Sequence, residues 1–169
     1  MTLRLILIRH AKSSWDQPGL DDHARPLNGR GRRSAIAVGE WLADRGYEPG
    51  QVISSDSQRT RETWAFLSGA FETAPKVLWS NALYHAGAQM LLDQLRHASD
   101  PVVLMLGHNP GIAQFAAMIV RSPPQHPRFP DYPTAATLVA DFGLRSWAEV
   151  DWDQGRATDF TVPRDLGVE

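Results

Sequence analysis

The chain has 169 residues, 43% of them hydrophobic and 21% charged, values that fit a soluble globular protein and exclude a disordered or fibrous one. It holds no cysteine, which excludes thiolate nucleophiles, disulfides and cysteine-bound zinc or iron–sulfur sites. A formal net charge of −2 gives no general attraction to nucleic acid, so any anion site has to be assembled locally.

In chain order, Leu3 to Ile8 is a short aliphatic run that reads as a mostly buried strand delivering Arg9 and His10 at its C-terminal end. The run is too short for a membrane helix or a secretory signal, so no membrane partner and a cytoplasmic location are expected. Ala35, Val38, Trp41 and Leu42 recur on one helical face, with Gly46 as the stop. Gln51 to Ser54 reads as a second strand. The helix after it carries Trp64, Leu67 and Phe71 on one face and Arg59 in its first turn. Lys76 to Trp79 gives a third strand, and Ala88, Leu91, Leu92 and Leu95 form the next helical stripe.

Val102 to Leu106 is the clearest buried strand and runs into Gly107-His108-Asn109-Pro110-Gly111. Asn109 suits an N-cap and Pro110 the first position of a helix that carries Ile112, Phe115, Ala116 and Ile119. Five of the 12 prolines fall between Pro123 and Pro133, marking a loop that reads equally as a cover or a passive linker. Thr137 to Phe142 and a segment around Phe160 read as further strands.

Strands alternating with helices predict one α/β domain over residues 1–169, a three-layer sandwich with a mainly parallel central sheet flanked by helices. Ligands bind such sheets beyond the carboxyl ends of the strands, which brings Arg9, His10, Arg59 and His108 to one place. Arginine forks and a helix N-terminus suit a phosphoryl group. The nearby arginines disfavour protonation of His10, which would then attack phosphorus, form a phosphohistidine intermediate and release it to water. His108, if protonated, would add charge stabilisation.

Leu7-Ile8-Arg9-His10-Ala11, the run from Ser54 to Thr63 and Gly107-His108-Asn109-Pro110-Gly111 together resemble the histidine phosphatase superfamily. The short length and the Asp22-His23-Ala24-Arg25-Pro26-Leu27 segment are most similar to its SixA-like phosphohistidine phosphatase branch. The resemblance implies a phosphoglycerate mutase-like fold without an inserted helical lid. It implies a catalytic pocket of His10, Arg9, Arg59 and His108, with no metal or other cofactor. Arg25 corresponds to a family arginine near the phosphate, and Asn109 and His85 are further candidates for substrate contact. Arg30, Arg32 and Arg33 read as a solvated face.

Two departures from the ester-cleaving pattern bear on the substrate. Ala11 follows the nucleophile where glycine is usual, and Asn81 to Gly87, where a carboxylic acid is usual, contains no Asp or Glu. General acid catalysis is worth about 10²–10⁴-fold, so a leaving group that needs no dedicated acid is expected. Phosphohistidine on a partner protein of a phosphorelay or phosphotransfer system fits. The alternatives are a general phosphomonoesterase acting on a small phosphate, with an acid such as Asp131 arriving from another loop, and a non-catalytic phosphate-binding module. A metal-dependent hydrolase using His10, His85, His108 and Asp21 or Asp22 is disfavoured, because arginines beside the ligands would repel a cation.

Overall fold

The computed structural model describes residues 2–168. In order, the elements are β1 (Leu3–Arg9), α1 (Gly29–Asp44), β2 (Gln51–Ser55), α2 (Gln58–Leu67), β3 (Lys76–Ser80), α3 (Ala88–Leu95), β4 (Val102–Gly107), α4 (Gly111–Ile119), β5 (Thr137–Phe142) and β6 (Arg156–Thr161). The six strands form one sheet in the order β3-β2-β4-β1-β5-β6. The first four strands of the chain are mutually parallel, and β5 runs antiparallel to both β1 and β6.

The period of two along a strand divides the aliphatic runs between two cores. Leu5 and Leu7 of β1, with Val103 and Met105 of β4, pack against Leu91, Leu92 and Leu95 of α3 and Ile112 and Phe115 of α4. Ile6 and Ile8, with Leu104 and Leu106, pack on the opposite face against Ala35, Val38 and Leu42 of α1 and Trp64 and Leu67 of α2. These unbroken runs follow from burial on both faces, and each fully buried Leu or Ile contributes about 1.5–3 kcal/mol of transfer free energy. Among the described residues no helix is long and apolar enough to cross a membrane.

Two boundaries differ from the sequence expectation. The second helix ends at Leu67, where Ser68 and Gly69 are poor helix formers, so Phe71 lies beyond a 3₁₀ turn rather than on the helical face. Its ring still meets Trp64, at 6.0 Å between centroids. The fourth helix begins at Gly111 with Pro110 as its N-cap. Asn109 does not cap it, because its side-chain amide donates to the carbonyls of Asp131 and Tyr132. Gly46 takes a left-handed φ of 74° just past α1, as a helix stop requires.

Two close approaches fix the loops at the C-terminal edge of the sheet. A Cβ at Gly31 would lie 2.1 Å from the Lys12 carbonyl oxygen, and one at Gly111 would lie 1.8 Å from that of Ala86. Glycine therefore lets α1 press on the loop after His10, and lets α4 press on the loop that carries Tyr84 and His85.

Candidate active site

Strands β2, β4 and β1 are neighbours, and their C-terminal ends set Ser55, His108 and His10 side by side. Arg9 pairs in register with Gly107, so His10 and His108 leave adjacent strands at the same level. Their ring centroids are 5.1 Å apart, and both residues are buried, at 7% and 3% exposure. Arg59 in the first turn of α2 is also buried. The four residues expected to converge do so.

His10 Nδ1 lies 2.8 Å from the carbonyl oxygen of Ala11. A carbonyl only accepts, so Nδ1 carries the proton and Nε2 presents its lone pair. Ala11 is held in turn, its N–H donating to Thr63 Oγ1 at 3.0 Å while that hydroxyl donates to the Arg59 carbonyl at 2.7 Å. The loop bearing His10 is thereby tied to the helix bearing Arg59. The imidazole of His10 is pushed down to about 3, mainly by burial, with Arg59, Arg9 and Arg25 adding charge repulsion. Burial rather than the arginines is thus the larger cause of its neutrality.

His108 is pushed down to about 2, again by burial first, then by His10 and Arg59. The sequence left its charge open; in this pocket the ring is neutral. Its Nε2 lies 2.8 Å from Ser55 Oγ, while Nδ1 is buried without a hydrogen-bond partner. Arg9 Nη1 donates to the Tyr132 carbonyl at 3.3 Å, and its Nε is likewise buried and unpartnered.

Tyr84 is a participant that the sequence did not single out, and Asp22, considered there as a ligand of the disfavoured metal site, pairs with arginines instead. Arg59 donates from Nη1 to the Asp22 carbonyl at 2.7 Å and from Nη2 to Asp22 Oδ2 at 3.1 Å. The Tyr84 hydroxyl donates to the same Oδ2, and His85 Nε2 stands 3.3 Å from it. Arg25 donates to Asp22 Oδ1 at 3.2 Å, to Ser13 Oγ at 2.6 Å and to the Ser14 carbonyl at 3.1 Å. The Tyr84 hydroxyl, followed by Arg59 and Arg25, holds the Asp22 carboxyl well below the usual carboxylate range. The side chain of His85 is half exposed, on the outer side of this cluster. Asn109 serves the wall instead, since its amide is committed to the backbone at residues 131 and 132.

The proline-rich loop backs the pocket. Tyr132 is fully buried, its hydroxyl donates to the Leu7 carbonyl at 2.5 Å and accepts from Leu138 N–H at 3.1 Å, and Ala135 N–H donates to the carbonyls of Arg9 and His10 at 3.0 Å. Tyr132 and Ala135 both take left-handed backbone, with φ of 47° and 62°, a conformation that these contacts hold in place. Among the described residues no group of three His, Cys, Asp or Glu side chains is arranged to hold a metal ion.

The profile described as histidine phosphatase superfamily (branch 1) matches residues 5–83. An uncharacterized protein of Mycobacterium leprae is 30% identical over 166 residues, covering 93% of this chain and 100% of that protein. The solved structure of SixA from Agrobacterium tumefaciens, to which phosphohistidine phosphatase activity is attributed, is 28% identical with a TM-score of 0.77, covering 95% of this chain and 98% of that one. The chain belongs to the histidine phosphatase superfamily. Within the superfamily it is SixA-like, and its sheet flanked by helices is the phosphoglycerate mutase-like fold of the SixA structures. An uncharacterized chloroplastic protein of Arabidopsis thaliana is 35% identical over 127 residues, and this histidine phosphatase matches 69% of its own chain to 58% of that longer protein.

Proposed function

We propose that this phosphatase hydrolyses phosphohistidine on a partner protein, with His10 Nε2 as the nucleophile and no metal ion. The observation that carries this reading is the pair of buried, unpartnered atoms beside a neutral His10: Arg9 Nε and His108 Nδ1. A buried donor without a partner costs about 1–3 kcal/mol, so any rearrangement on binding that gives these two an acceptor is favoured, and a phosphoryl group carries several. Ser55 Oγ accepts from Ser57 N–H at 3.3 Å, so its own proton is free for His108 Nε2. The neutral His108 ring then carries its proton on Nδ1 and donates to the phosphoryl group without adding charge.

An incoming phosphoryl group and the Asp22 carboxylate are both anions seeking the Arg59 fork, so substrate entry displaces Asp22. His10 Nε2 then attacks phosphorus while the phosphorus–nitrogen bond of the substrate breaks, and the departing imidazole takes a proton from solvent at the open rim. Arg9 and Arg59 bind the equatorial oxygens. Water next attacks the phosphorylated His10, releasing phosphate and returning the neutral ring. Asp22 is unsuited to protonate an alkoxide, because the Tyr84 hydroxyl and Arg25 favour its ionised form even when it leaves Arg59. This favours the phosphohistidine substrate over an alkyl phosphate.

The test offers a phosphohistidine-bearing protein and, separately, an alkyl phosphomonoester to wild type and His10→Ala, both in excess chelator, and follows phosphate release. Wild type is expected to turn over the first substrate at least about 10²-fold faster than the second, and His10→Ala to lose at least about 10³-fold. Comparable turnover of the alkyl ester would transfer the assignment to a general phosphomonoesterase. Binding of phosphate without any labelling of His10 would make the chain a non-catalytic module.

A further inference from the structure

A cavity of about 240 Å³ opens between the first turns of α1, the proline-rich loop and the turn at residues 163–166, and Arg30, Arg128 and Arg164 all line it. Ser34, buried at 3%, and Thr134 supply hydroxyls to the same wall. No carboxylate among the described residues lines this cavity. Arg30 and Arg164 form no ion pair with a described residue, and Arg128 gives only its Nε to Asp131, at 3.0 Å, leaving both terminal nitrogens free. The first turn of α1 carries no acidic residue to offset its own positive end. Three exposed guanidiniums around one concavity, one of them paired to Asp131, favour the entry of an anion. Arg30 is exposed, as the sequence suggests, and it also lines this cavity.

We propose that this cavity is a second oxyanion site, which takes an acidic side chain of the phosphorylated partner protein while His10 engages its phosphohistidine; the proposal rests on the function proposed above. The backbone from Tyr132 to Ala135 separates the two sites. Tyr132 turns its carbonyl to Arg9 and Ala135 its N–H to Arg9 and His10, while Pro133 and Thr134 line the arginine cavity. A small phosphate held on His10 cannot reach around that strap. A protein surface lying across the rim can fill both sites, and a glutamate or aspartate carboxylate matches the guanidinium fork.

The experiment uses two synthetic peptides, each with one central phosphohistidine, one with glutamate at alternate positions and the other with alanine there. Wild type is expected to favour the glutamate peptide about ten-fold in kcat/KM, mostly through KM. The variant Arg30→Ala/Arg164→Ala is expected to lose that preference, hydrolyse the alanine peptide at the wild-type rate and keep its unfolding midpoint. Equal kcat/KM on the two peptides in wild type, or a preference that survives in the variant, would overturn the proposal. Titration with the unphosphorylated glutamate peptide separates this inference from the assigned reaction. Wild type should bind it about ten-fold more tightly than the variant even if neither peptide is hydrolysed, and equal affinity refutes the site by itself.

Discussion

The two ends of the sheet treat buried polar groups in opposite ways. At the N-terminal end Gln51 Oε1 accepts from the N–H groups of Ser99 and Asp100 at 2.9 and 3.2 Å, Asp100 Oδ1 accepts from Val102 N–H at 3.0 Å, and Trp147 Nε1 donates to the Asp100 carbonyl at 2.7 Å. At the C-terminal end Arg9 Nε, His108 Nδ1 and Asn109 Oδ1 are buried with no partner. One end is closed by its own hydrogen bonds and contributes stability. The other leaves two ring or guanidinium nitrogens and one amide oxygen unsatisfied and is less stable for doing so.

Removing a donor from the open end should have the largest effect. Arg59→Ala is expected to lower kcat/KM by about 10²–10³-fold, read from phosphate release, and to cost about 1–3 kcal/mol of stability as well, because a buried side chain and its hydrogen bonds to the Asp22 carbonyl and carboxylate are lost. A fall in stability with intact turnover would reverse the roles assigned to the two ends.

Acid should come next. His10 and His108 have folded-state values lowered to about 3 and about 2, so between the ordinary imidazole value of 6.5 and those values the unfolded chain binds protons that the folded one does not. Stability is then fully present above pH 6.5 and is lost as pH falls below it. The loss is about 2 kcal/mol for each imidazole between pH 7 and 5, and denaturant unfolding at the two pH values measures it. His10→Ala should flatten the dependence by roughly half. Wild-type stability that does not change over this range would mean that the open end is better hydrated than its burial indicates.

The smallest effect belongs to the closed end. Gln51→Ala leaves the N–H groups of Ser99 and Asp100 without their acceptor and is expected to cost about 1–2 kcal/mol in denaturant unfolding with kcat/KM unchanged. A change in turnover instead would couple the two ends through β2.

How much of this was legible in the chain differs between the same two ends. Val102 to Leu106 and Thr137 to Phe142 are read directly because burial on both faces leaves a continuous apolar signal. Arg9, His10, Arg59 and His108 follow from knowing where parallel strands end, since their position is a property of the topology. The closure of Asp22 onto Arg59 joins residues 37 positions apart, and Tyr132 reaches Leu7 across 125. No local period encodes such pairs. The start of α4 is shifted for the same reason, because the Asn109 amide nitrogen is held by carbonyls on a distant loop and its Oδ1 meets no helix N–H.

The Trp15 ring lies 3.2 Å from Arg25 Cζ and is 73% exposed, stacked on the guanidinium that also grips Asp22. An indole placed so is an optical reporter built into the rim. When a phosphoryl group pulls Asp22 and Arg25 into a new arrangement, the field on that ring changes, so the emission of Trp15, isolated by difference against Trp15→Phe, follows occupancy of the site in real time with no added dye.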